Sequence, residues 1–129
     1  EGNPGASAAH ILVADVAAAM GDFDEALDAL DKARSIRFSE PVMLRLVEVL
    51  RSQGNMQKSG EVLAQYLNYN PSNIAGLRWM AYAHLETKSW SVAAHLLENL
   101  RLRIGDNDAL IMAGLTQAYT GQSRSSAES

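Results

Sequence analysis

Three histidines, His10, His84 and His95, are the side chains best suited to hold a transition metal or to move a proton near neutral pH. They fall on three different predicted helices, with no H-x-x-x-H spacing that would set two ligands on one helical face. Packing and surface roles account for them. The carboxylates cluster in sequence, as Asp22, Asp24 and Glu25 and again as Asp28 and Asp31, yet these places suit the N-terminal charge and solvated face of a helix. Arg101 and Arg103 end a predicted helix, where its dipole favours cations. There is no glycine-rich phosphate loop and no G-x-S-x-G nucleophile turn. The residues that could do chemistry therefore predict no catalysis and imply no metal or cofactor.

The elements that carry these residues are helical by composition. Ala, Leu, Glu and Asp are plentiful, aromatics make up 6% of the 129 residues, and 47% hydrophobic content suffices to build a core. A net charge of -4 gives no general attraction to nucleic acid or to an anionic membrane surface. With no cysteine, disulfides and thiolate metal sites are excluded. No apolar run reaches the roughly 18 residues of a membrane helix, so direct membrane insertion is not expected. The first residue is Glu1 rather than Met, no leader pattern opens the sequence, and the compartment cannot be read from it.

Apolar spacing and cap chemistry predict seven helices. The first follows Ser7 as its cap and runs to about Met20; the second follows a capping box of Asp22 and Glu25 and runs to about Ile36. Ser39 and Pro41 restart the chain into a third helix, which Gly54-Asn55 ends, and the fourth runs from about Met56 to Leu67. The fifth is expected over about Asn73 to Glu86, the sixth after a Ser89 cap, and the seventh over Asp108 to Thr120, apolar on most sides. Met43, Met80, Trp79 and Trp90 fall at helical spacings that assign them to packing.

The turn residues Gly21, Gly54, Lys88 and Gly121 are separated by 33, 34 and 33 residues. After each of the first three comes the same succession of apolar and small residues: Phe23, Ala26, Leu30 and Ala33, then Met56, Ser59, Leu63 and Tyr66, then Trp90, Ala93, Leu97 and Leu100. This period and pattern resemble the tetratricopeptide repeat, a helix-turn-helix unit of about 34 residues. First-helix places of that family are held here by His10, Val13, Ala14 and Ala17, by Met43, Leu46, Val47 and Leu50, by Leu77, Met80, Ala81 and His84, and by Leu110, Ala113, Gly114 and Gln117. The family's first-helix Trp and Tyr are absent, and Phe38 and Gly105 stand where a closing Pro would; Pro71 keeps it. The resemblance implies an all-α right-handed superhelix of stacked hairpins, with repeats over about 7–39, 40–73 and 74–106 and a partial one over 107–129. In that register Gly121, Ser126 and Glu128 match Gly54, Ser59 and Glu61, so a new return helix is expected from Gly121 and the chain reads as one domain, a segment of a longer array. The GD-x-x-x-A turns, Asn-Pro closures and Ala/Leu-rich helices look like bacterial members concerned with the cell envelope or polysaccharide export.

The resemblance also implies a function. In the family the first helices line a concave groove that binds another protein, and the groove positions fall here on Ile11, Asp15, Leu44, Glu48, Arg51, Arg78, Tyr82, Leu85, Ile111, Leu115 and Tyr119. Ile11 and Asp15 stand where Lys and Asn clamp a terminal carboxylate in some members, so that mode is not expected. The set is apolar with a few charges, which suits an amphipathic helix or an extended apolar peptide. The expectation is a non-catalytic protein-interaction scaffold. The alternative is self-association through the apolar seventh helix, giving a homo-oligomer.

Overall fold

Most of the helices begin where a capping side chain meets the needs of the first turn. In the computed structural model, which describes residues 4–128, α1 spans Pro4–Ala19, α2 Phe23–Ile36, α3 Glu40–Ser52 and α4 Met56–Tyr69. Then α5 spans Ile74–Glu86, α6 Trp90–Ile104 and α7 Ala109–Glu128, and no strand occurs among the described residues. The N–H groups of Glu25, Lys58, Gly76 and Ile111 donate to the side-chain oxygens of Asp22, Asn55, Asn73 and Asp108 at 3.2, 3.1, 2.8 and 3.1 Å, each three residues back. Ser39 and Ser89 occupy cap positions without such a bond, and Pro41 lies in the first turn of α3. The first helix starts three residues earlier than Ser7: Pro4, with its fixed φ and no N–H to satisfy, opens it, and Ser7 lies inside.

Three hairpin turns repeat one geometry. Gly21, Gly54 and Lys88 take φ of 78°, 77° and 62°, the left-handed conformation, at the positions the period marks. At each, two bonds close the helix end. Gly21 N–H donates to Ala18 O and Asp22 N–H to Ala17 O; Gly54 donates to Arg51 and Asn55 to Leu50; Lys88 donates to Leu85 and Ser89 to His84. This paired closure, the Schellman motif, satisfies carbonyls that the helix leaves bare. The chain then reverses into the next helix.

The chain divides after Tyr69 into two compact units. In the first, α1 packs on α2, α2 also on α3, and α3 on α4. Its core holds Ala26, Leu30, Met43, Leu46, Leu63 and Tyr66, and the fully buried Leu30 contributes roughly 1.5–3 kcal/mol by leaving water. Phe38, in the place of a closing Pro, meets Tyr66 edge to face at 5.4 Å, with the Arg34 guanidinium 4.3 Å from its ring centre. Arg34 also donates to Gln65, so the α2–α3 connection is fastened to α4.

In the second unit α6 lies between α5 and α7, which also touch each other. Ala81, Leu85, Leu97, Leu100, Ile111 and Leu115 form its core, flanked by Leu77, Trp90 and Leu96. One boundary differs from the sequence reading: α7 does not stop at Thr120 but runs through Gly121 to Glu128 without a turn. The cause lies on α6. The indole of Trp90 occupies the space a side chain at position 121 would need, and Gln122 donates to Ser91 Oγ at 3.3 Å. Gly121 serves close helix approach here, whereas Gly21 and Gly54 serve reversal.

Candidate functional site

Between α5 and α7, with Leu97 of α6 at its base, the second unit holds a cavity of about 320 Å³. Its walls are mostly apolar: Trp79, Tyr82 and Leu85 from α5 face Leu110, Ile111 and Gly114 from α7. The rings of Trp79 and Tyr82 are tilted against each other with centroids 6.0 Å apart, a pairing that follows from their i, i+3 spacing on one helical face. Opposite them α7 presents Ala113 and Gly114 in succession, and these small residues leave the space that the aromatic pair does not fill. A β-carbon at Gly114 would sit 3.0 Å from Leu97 Cδ1 and 3.6 Å from Leu85 Cδ1. Leu97 and Leu85 thus stand directly against the glycine.

Charge enters at one edge. Arg78, which also lines the cavity, donates through its guanidinium to Asp108 Oδ2. Asp108 Oδ1 accepts from the N–H groups of Leu110 and Ile111 at 3.1 Å each. The carboxylate therefore caps α7 and ties its start to α5. These bonds favour the ionised form: the Ile111 N–H first, and then the Arg78 guanidinium, hold the Asp108 carboxyl below the usual carboxylate range.

Of the groove residues expected from the sequence, Arg78, Tyr82, Leu85 and Ile111 meet at this cavity. Tyr82 is 56% exposed, at its mouth, while Leu85 and Ile111 are buried in its walls. Leu115 differs from the expectation: it is 3% exposed, a core side chain packed between helices and not a groove surface. Tyr119 lies outside the cavity, its hydroxyl donating to Glu98 on α6. The expected groove residues of the first unit stand on α1 and α3. Ile11, Leu44 and Arg51 are half-buried and Asp15 and Glu48 exposed. Asp15 accepts from Arg45 Nε and Nη2 at 2.8 and 3.2 Å, a two-pronged pair that raises the guanidinium pKa and braces α1 against α3.

The sequence reading placed Trp79 in the packing, and it missed Ala75, Leu97, Leu110, Ala113, Gly114 and Gln117 as cavity residues. Trp79 is half-buried and stands in the wall. The signal that could have found the site is the juxtaposition of Trp79 and Tyr82 on one helix with Ala113-Gly114 on another, large against small. The histidines are not part of it: His10 stands on α1, His84 on α5 and His95 on α6, none of them lining the cavity. Among the described residues no three His, Asp or Glu side chains gather in an arrangement that could hold a metal ion. No described helix is long and apolar enough to cross a membrane. Compared with protein-family models and with curated proteins, the chain finds no match.

Proposed function

We propose that this chain is a protein-interaction scaffold of tetratricopeptide-like hairpins that binds a partner's peptide or amphipathic helix without catalysis. The observation that carries the reading is the α5–α7 cavity, apolar inside and edged by Arg78 and Tyr82. An apolar site of roughly 150 Å³ is enough for one benzene-sized group, so a space near 320 Å³ has room for two apolar anchors, such as side chains one helical turn apart on a partner helix. The hairpins hold the walls in place before a partner arrives, which lowers the ordering cost of binding. The spacing of the left-handed turns at Gly21, Gly54 and Lys88 supports the repeat assignment.

Arg78 is a poor residue to change first, because a substitution there also releases Asp108 from its ion pair. Tyr82→Ala and Leu110→Glu act on exposed side chains at the mouth. The test is capture of partners from a bacterial lysate by the wild-type chain and by each variant, after circular dichroism shows equal helicity. A partner held by wild type and lost by both variants is expected. Equal retention by all three would remove the cavity from the binding surface.

Self-association is the second reading, favoured by Leu110, 73% exposed, with Met112 and Tyr119 also exposed on α7. It predicts a sedimentation coefficient that rises with concentration for wild type and stays flat for Met112→Glu. A flat profile for both would dismiss it.

A further inference from the structure

The α5–α7 cavity has a chemical asymmetry that a purely apolar occupant does not use. Among the described residues that line it, Arg78 alone carries a charge. Its side chain is 35% exposed, so part of the cation is open to a ligand. The bond to Asp108 engages Nη2, while a guanidinium carries five N–H donors in a fixed fork. One side chain can therefore hold Asp108 and a second carboxylate together.

Asp108 does not cancel the cation at this edge. Its Oδ1 is taken up by the N–H groups of Leu110 and Ile111, at the positive end of the 20-residue α7. The carboxylate is answered from two sides, and a ligand's anion meets a field that is positive on balance. Volume and walls set the rest of the ligand. A space of roughly 150 Å³ takes a benzene-sized group, so one near 320 Å³ takes an apolar body of about eight to ten carbons. Trp79 and Tyr82 offer it aromatic carbon on one side, and Ala113 and Gly114 leave room on the other.

We propose that this cavity binds a small amphipathic carboxylate, its apolar body between the aromatic pair of α5 and the small residues of α7, its carboxylate on Arg78. Such a molecule takes the space of a partner's anchors and competes with them, which goes beyond the peptide reading. The two stand apart in test: ligand uptake is measured with no partner present, and partner capture with no ligand.

The experiment is titration calorimetry of the whole chain with octanoate. Saturable one-to-one uptake is expected, half complete at about 0.1 mM. Octylammonium, of equal length and opposite charge, should bind about tenfold more weakly or worse. Asp108→Asn keeps a capping side chain and releases Arg78, and it should tighten octanoate about threefold. Ala113→Phe fills the space from an exposed position on α7 and should abolish uptake, with circular dichroism checking that both variants remain helical. Equal binding of the two probes by wild type, or no saturation by about 5 mM octanoate, would overturn the proposal. So would uptake untouched by Ala113→Phe, or an Asp108→Asn chain that binds octanoate no better than wild type.

Discussion

Glycine acts in three ways in this chain, and the same substitution should have opposite signs at two of the sites. Gly60 lies inside α4 with ordinary helical backbone and open space where a β-carbon would go. Gly60→Ala is expected to raise stability by roughly 0.5–1 kcal/mol, since alanine loses less backbone freedom on folding. Gly121 is also helical, but a methyl group there overlaps the Trp90 indole, a rigid ring held against the core. Gly121→Ala is expected to lower stability by roughly 1–3 kcal/mol. Urea denaturation of the two variants beside wild type measures both; equal shifts would refute the assignment. Lys88 is the converse case, a side chain in a backbone conformation that Gly21 and Gly54 adopt freely. Lys88→Gly is expected to stabilise by roughly 1 kcal/mol, read as a higher urea midpoint, because the left-handed backbone disfavours a β-carbon by about 1–2 kcal/mol.

At the scale of the element, α7 depends on its first residue contacts. Asp108 caps it by two N–H bonds and reaches Arg78 on α5, and its carboxyl titrates below the usual range. A depressed folded value stabilises the fold above the ordinary unfolded value, about 3.9, and that contribution is lost as pH falls through the lower folded value. The wild-type chain should therefore lose stability on acidification from pH 7 into this acid range, and Asp108→Ala should lose less. Thermal unfolding of both chains across that range measures the difference; parallel curves would deny the carboxylate this role. The helix also shows why one boundary escaped the sequence reading. Glycine at the repeat interval is compatible with a reversal or with a close approach, and the residue that decides, Trp90, lies on another helix.

For the molecule as a whole, the all-helical architecture was legible because it rests on local and periodic signals. Apolar spacing marks the helices, capping side chains mark most starts, and the interval between Gly21, Gly54 and Lys88 marks the turns. The cavity was less legible. Arg78, Tyr82, Leu85 and Ile111 were reached through register, but the space itself comes from large side chains on α5 opposing small ones on α7, a relation no single stretch encodes. Leu115 was expected on the groove for a related reason: groove and core positions are both apolar, and here Leu115 is 3% exposed and does not line the cavity. Each unit has its own core, so Leu30→Ala in the first and Leu100→Ala in the second should each cost roughly 2–5 kcal/mol in urea unfolding. A midpoint unchanged by either would take that leucine out of the core.

The paired closures at the hairpin turns also bear on how the chain breathes. Turn amides in many proteins trade hydrogen with water quickly, since little holds them. Here the amides of Asp22, Asn55 and Ser89 are bound to carbonyls of the preceding helix at 2.8 Å each, so a turn cannot open without loosening the end of that helix. Turn and helix end then form one opening unit, and the three amides should exchange with deuterium as slowly as the last turns of α1, α3 and α5 themselves.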